Sequence, residues 1–215
     1  MAFYAKNQTE GKGQRGKRWI SNPNENIILS VILHPPAFFM PKPFVFNAFL
    51  SNCCRSFIQT LIPEPVKIKW PNDMYIGDRK AAGLLVENIY QGNTWAWSVV
   101  GMGININQTH FDESVNQASS VAMLTGLSYD CIALSKQLHK ELLNAFNLLQ
   151  PTDETSIMDL YNQHLYKKGM KQKFKQQGKI FETEVVGVNA YGQLLCADNM
   201  QHAFEFGSLE WIIQQ

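Results

Sequence analysis

The chain has 215 residues, enough for one catalytic domain and a small appendage. Its 19 Lys and Arg against 18 Asp and Glu give a formal net charge of +1, which excludes nucleic-acid binding over the whole surface and leaves positive charge to matter only locally. The four cysteines and five histidines follow neither a zinc spacing nor a disulfide framework, no apolar run reaches the length of a membrane span, and the first ten residues lack a secretory apolar core, so the expected compartment is a reducing cytoplasm.

In chain order, Phe3–Ala5 reads as a short strand entering a polar loop over residues 6–26. The β-branched run 26–34 predicts a central strand, and four prolines between 35 and 43 a stiff connection. Val45, Phe49, Cys53 and Phe57 recur every fourth residue, one face of a core helix over 44–61. VKIKW (66–70) is a strand stopped by Pro71. A turn at Asn72–Asp73, a short strand and a second turn at Gly77–Asp78 follow. Residues 81–90 and 94–106 form a long hairpin. Helices are expected near 119–124, over 130–149 with Asp130 as N-cap, and over 154–166. From 171 the pattern turns to short strands at 181–188, 193–198 and 202–206, which predicts a small antiparallel barrel.

Three segments carry chemistry. Residues 11–18 hold three glycines and four basic side chains with no acid. Glycines let backbone approach a ligand closely, and N–H groups with Lys or Arg can cradle an anion. The loop does not join a strand to a helix, so neither a P-loop nor a dinucleotide-binding turn fits. Its composition equally suits a solvated surface loop or a nucleic-acid-contacting tip. In 67–87, KIKWPNDMYIGDRKAAGLLVE, a lysine ends a strand, Trp-Pro stiffens its exit, and Asp73 sits where it can orient a reacting group or bind Mg²⁺. Lys80 precedes the small residues Ala81–Gly83, where a ligand can lie on bare backbone. GMGININ (101–107) is a strand whose end carries Asn105.

Taken together and in this order, QTEGKGQRGKRW, KWPND followed by DRKAAGLLVE, and GMGININ resemble the biotin protein ligase family, strongly over residues 5–110. The resemblance implies an α+β fold: a mixed β-sheet flanked by helices, as in biotin/lipoate ligases and class II synthetases, over residues 1–168, and a small SH3-like β-barrel over 169–215. It implies ATP and Mg²⁺ as cofactors, biotin as substrate, and a biotin carboxyl carrier protein or domain as partner. A homodimer through the sheet is expected by analogy; nucleic acid and membrane are not. Gln8, Gly11, Lys12, Gly13, Gln14, Lys80, Gly83 and Leu85 would bind biotin or its acyl phosphate. Arg15, Trp19, Asn72 and Asn105 would bind ATP, with Arg15 on the phosphates and Trp19 near the adenine. Lys80, Arg15, Asp73 and Lys69 would be catalytic, and Asp73 with Asn105 would face magnesium.

The sequence departs from the family pattern twice. Family members place Ser-Thr-Asn on a strand–helix unit before the glycine loop, against the ureido ring of biotin. No Ser-Thr-Asn occurs in these 215 residues, so that part of the pocket is expected to be lost or to precede the given start. Gln14 stands where arginine is usual, and it hydrogen-bonds without charge, so the adenylate is expected to be held less tightly. The helix-turn-helix of repressor members has no counterpart. Two other readings stay open: a relative that only binds a nucleotide or a partner, and a lipoate or octanoate transferase, against which KWPND argues. If 11–19 is the lid of an acyl-adenylate site, trypsin cuts the free protein at Arg15, Lys17 or Arg18, and biotin with ATP suppresses the cut. Equal cleavage on a gel with and without ligands rejects the lid.

Overall fold

The computed structural model of the chain describes residues 1–112 and 117–213. Among them, six strands form one sheet: β1 (Ala2–Tyr4), β2 (Asn26–Leu33), β3 (Val66–Lys69), β4 (Asp73–Ile76), β5 (Arg79–Gln91) and β6 (Thr94–Asn105). Their spatial order is β1-β2-β6-β5-β4-β3 and every named pair is antiparallel. The parallel component that makes the sheet mixed is confined to isolated bridges, Lys80 with Ala118 and Ile68 with Leu165.

Alternation along β2 puts Ile27, Leu29, Val31 and Leu33 on the buried face, together with Val100, Met102 and Ile104 of β6. Helices cover that face: α1 (Pro43–Gln59), α3 (Cys131–Asn147) and α4 (Glu154–Gln163), after the short α2 (Val121–Thr125). The four-residue spacing in α1 is realised, with Pro43 at the first turn, where its missing N–H leaves nothing unpaired. Asp130 caps α3 by accepting from the N–H groups of Ile132 and Ala133. Phe46 of α1 is fully buried, with its ring 5.5 Å from Phe39, 6.1 Å from Phe49, 5.6 Å from Trp95 and 6.2 Å from Phe146. Two side chains from this layer reach under the site: Tyr161 Oη of α4 and Asn47 Nδ2 of α1 both donate to the Pro71 carbonyl, at 2.9 and 3.3 Å.

Two expectations change. The helix expected over 154–166 ends at Gln163, because the next residues leave it to bond β3: Ile68 N–H donates to His164 O and Tyr166 N–H to Ile68 O. The expected barrel is an open five-stranded antiparallel sheet, order β10-β9-β8-β7-β11, whose end strands do not pair with each other. Its members are β7 (Lys171–Gln176), β8 (Lys179–Val188), β9 (Leu194–Ala197), β10 (Gln201–Phe204) and β11 (Glu210–Ile212). Among the described residues no helix is long and apolar enough to cross a membrane.

Phe46→Ala removes the hub of the aromatic cluster beneath the sheet and is expected to lower unfolding free energy by about 3–5 kcal/mol. Urea denaturation checks this; a loss below about 1 kcal/mol would mean the cluster collapses onto the vacancy.

Candidate active site

The front of the sheet, opposite the helices, forms the floor of a cleft of about 980 Å³. The glycine-rich loop, the Trp70–Asp73 turn and the 206–211 stretch of the second sheet wall it in. Strand register explains the floor. Gly83 of β5 pairs with Gly103 of β6, and Leu85 with Gly101, so bare backbone faces the cleft at three of four neighbouring points. The space is filled selectively. A methyl group on Gly103 would fall 2.6 Å from the Trp19 ring, and one on Gly83 3.1 Å from both Asp73 Oδ1 and Lys80 Nζ. Gly101 has only Leu85 nearby, at ordinary contact distance.

Register also gathers the reactive groups. Lys69 pairs with Asp73, and Asp73 with Gly83, so all three share the front face. Between Met74 and Tyr75 the β4–β5 register slips by one, leaving Ala81 as an extra residue in β5. This bulge pairs Lys80 with Tyr75 and returns it to the face of Asp73; Lys80 Nζ meets Asp73 Oδ1 at 2.7 Å, both side chains about a third exposed or less. Trp19 lies over the pair, its ring 5.7 Å from Lys80 Nζ.

Lys69 has no carboxylate partner among the described residues. Its ammonium lies 5.0 Å from the Tyr75 ring and 5.7 Å from that of Trp211, and donates a 3.4 Å hydrogen bond to Tyr75 Oη. Burial chiefly, then repulsion from Lys80 and Lys17, lowers its pKa to about 8 against the pull of Asp73. The Tyr75 phenol is pushed up by the same burial. Among the described residues the cleft wall carries seven basic and four acidic side chains, a local excess of three on a nearly neutral chain. Such a wall draws in polyanions.

The loop is itself built. Gly13 N–H donates to Lys17 O at 2.7 Å and Trp19 N–H to Gly11 O at 2.8 Å, closing a small hairpin whose tip turns through a left-handed Arg15, φ 57°. The Arg15 guanidinium donates to Gly207 O at 3.0 Å and lies 5.9 Å from the Phe206 ring.

Of the residues singled out by sequence, Gln8, Lys12, Gly13, Gln14, Arg15, Trp19, Lys69, Asn72, Asp73, Lys80, Gly83 and Leu85 line this cleft. Gly11 does not; it borders a smaller cavity beneath the loop, and its missing side chain makes room for the Trp19 carbonyl. Asn72 reaches the wall, but its side-chain amide donates to Leu84 O and fastens the turn to β5. Asn105 lies outside the cleft: it is 4% exposed and donates to Ser119 O at 3.0 Å, behind Lys80. Asp73 lines the cleft and Asn105 does not, and no cluster of three His, Cys, Asp or Glu stands among the described residues. This donor set does not fit a protein-held magnesium ion. Sequence reading missed Lys175, Phe206 and Trp211, which come to the cleft from a stretch read only as barrel strands and turns.

Residues 2–105 match the family model described as the biotin/lipoate A/B protein ligase family. The bifunctional ligase/repressor BirA of Escherichia coli K12 is 33% identical over 153 residues, covering 69% of this chain and 46% of that protein. The biotin–[acetyl-CoA-carboxylase] ligase of Paracoccus denitrificans is 29% identical over 113 residues, 47% of this chain and 42% of that one. The chain thus spans about half the length of these relatives. The Aquifex aeolicus biotin protein ligase, solved with biotin and ATP, superposes with a TM-score of 0.82 at 21% identity, covering 99% of this chain and 89% of that chain, and so shares the fold.

Gly103→Ala is expected to lift Trp19 off the floor and loosen the loop it closes, whereas Gly101→Ala, with room for its methyl, leaves the loop in place. Tryptic cutting at Arg15–Arg18 in the two folded variants decides: faster for Gly103→Ala alone supports the packing, equal rates reject it.

Proposed function

The chain belongs to the biotin/lipoate A/B protein ligase family, and from that premise we propose that it is a biotin protein ligase. It activates biotin with ATP to biotinyl-5′-AMP and passes the biotinyl group to one lysine of a biotin carrier domain of acetyl-CoA carboxylase. The observation that carries this reading is the Lys80–Asp73 pair at one end of a glycine-floored cleft, under a basic loop.

A carboxylate is a poor acyl donor because its oxygen leaves badly. In the first step a biotin carboxylate oxygen attacks the α-phosphorus of ATP and pyrophosphate departs. Two anions must meet for this, so fixed positive charge in a desolvated site lowers the barrier. In this reading Lys80 holds the carboxylate and phosphate oxygens, a role supported by its sharing one cleft with Lys12, Arg15 and Lys69. In the second step the carrier lysine amine attacks the acyl carbon, AMP leaves as the mixed anhydride breaks, and the amine loses a proton. In this reading Asp73, paired with Lys80, orients that amine. Magnesium enters as the counter-ion that ATP carries, part of the substrate. Gly83 and Leu85 offer backbone and one apolar side chain to biotin, and Gln8 and Gln14 offer amides. In this reading residues 1–168 do the chemistry and residues 169–215 close the cleft, through Trp211 against Lys69 and Gly207 against Arg15.

The test is biotin-dependent exchange of pyrophosphate into ATP, followed by labelling of a carrier lysine. Both are expected, and Lys80→Ala is expected to slow each by about a hundredfold or more. A folded protein without biotin-dependent exchange overturns the reading, exchange driven by lipoate instead assigns the other branch of the family, and an unchanged Lys80→Ala rate removes that lysine from the mechanism.

A further inference from the structure

Lys69 is a charge without a counter-charge. It pairs in register with Asp73, but the Asp73 carboxylate is taken by Lys80 at 2.7 Å. Among the described residues the Lys69 ammonium meets ring faces and one phenol: it lies 5.0 Å from the Tyr75 ring and 5.7 Å from the Trp211 ring, and donates a 3.4 Å hydrogen bond to Tyr75 Oη. A half-buried ammonium in such surroundings gives up water and receives only part of that loss back. Its charge is left available to an anion that enters the cleft.

The cage around it has two origins. Tyr75 belongs to β4. Tyr166 backs it, ring to ring at 5.1 Å, and is fastened to the first sheet: its N–H donates to Ile68 O at 2.9 Å and its Oη to Asp78 Oδ1 at 2.7 Å. Trp211 comes from the second sheet. The short edge strand β11 pairs with β7, and register sets Trp211 opposite the fully buried Phe174. Trp211 lies 4.7 Å from the Phe174 ring and 5.8 Å from that of Tyr166. Its Nε1 has no hydrogen-bond partner among the described residues, so strand pairing and ring packing fix where the indole sits. Both Lys69 and Trp211 line the cleft.

We propose that Trp211 is a positioning residue: it reaches across from the second sheet and holds the Lys69 ammonium over the Tyr75 ring, turned toward the phosphates of ATP. The proposal rests on the ligase reading above. Trp211 acts through Lys69 and takes part in no bond that forms or breaks. The second sheet thereby enters the chemistry of the first through one side chain.

Three measurements on the full chain test this. The first needs no activity. In the ligand-free protein the Lys69 Hε protons, held against two rings, resonate upfield of those of the exposed Lys136 and Lys140, and Trp211→Leu moves them back toward that position. The second is kinetic. Trp211→Leu lowers kcat/KM for ATP in pyrophosphate exchange by about tenfold and leaves KM for biotin within about twofold, while Trp211→Phe, which keeps a ring face, recovers most of the loss. The third is a double-mutant cycle: in a Lys69→Met background, Trp211→Leu costs nothing further in kcat/KM. If Trp211→Leu does not fold, Trp211→Met takes its place. Equal rates for the leucine and phenylalanine variants overturn the proposal, since any apolar filler then serves. Losses that add in the cycle, or Lys69 protons that stay where they were, overturn it as well. A parent protein without exchange activity whose Lys69 protons shift in the variant sinks the ligase reading and leaves the positioning of Lys69 standing.

Discussion

The site depends on where one ammonium points. Lys80 and Asp73 lie on neighbouring strands and meet at 2.7 Å, a pair about a third exposed or less. A partly solvated pair of this kind adds at most about 1 kcal/mol to folding. Its consequence is geometric: it fixes the end of the cleft where a carboxylate and a phosphate are brought together. Everything around it makes room or supplies charge. Gly83 leaves space beneath the pair, Gly103 lets Trp19 settle beside it, and Lys69 adds a second ammonium whose charge is weakened by burial. A bulkier residue at either glycine would meet that pair or the indole above it.

Much of this was legible in the amino-acid order, for reasons that differ by element. Helix α1 showed through the four-residue recurrence of Val45, Phe49 and Phe57, although its burial extends beyond that face to Phe46, Leu50 and Cys54. The Asp130 cap showed because a helix start needs an acceptor for free N–H groups. The Trp70–Asp73 turn and the Gly77–Asp78 turn showed because proline, asparagine and glycine have few backbone alternatives. Strand β7 did not: KQKFKQ buries Phe174 alone, which leaves no apolar alternation to read. The bulge at Ala81 did not show either. Small residues after Lys80 suggested close approach of a ligand, but a one-residue slip leaves no mark in composition, and its consequence, the face on which Lys80 lies, emerges only from pairing. The backbone contact of Asn105 was hidden for a related reason. It ends a glycine-rich strand, and the backbone it holds lies more than ten residues downstream in a stretch with no strand pattern.

The end of β6 binds both halves of the site at once. Asn105 fastens residues 117–119 behind Lys80, while Gln108 Oε1, two residues past Ile106, accepts from Asn26 Nδ2 and from the Asn22 N–H where the glycine-rich segment rejoins β2. Asn107 N–H donates to Glu25 O on the same side. The loop that covers the cleft and the lysine at its end are thus anchored to four consecutive residues, Asn105 to Gln108. Three are amides, which both donate and accept and carry no charge to compete with the ammonium groups nearby. A carboxylate at buried Asn105 or Gln108 would draw Lys80 or leave a desolvated charge.

The second sheet meets the first at the same place. Trp211 lies against Lys69, Phe206 against Trp70, and Gly207 O accepts from Arg15. Trp70 Nε1 donates to Gly192 O, and Gly192, at φ 87°, has Phe44 where a side chain would go. Arg15 is the least comfortable of these residues: φ 57° is unusual for a side chain of its size and costs of order 1 kcal/mol or more. That conformation is kept by one hydrogen bond to a backbone carbonyl and a ring contact, both from the second sheet. A guanidinium held this way faces the open cleft with its remaining donors free of any carboxylate among the described salt bridges. The two sheets therefore do more than pack: the second supplies the contact that sets the loop's tip, and the first supplies the floor and the lysine, so neither alone encloses the space in which two anions would have to meet.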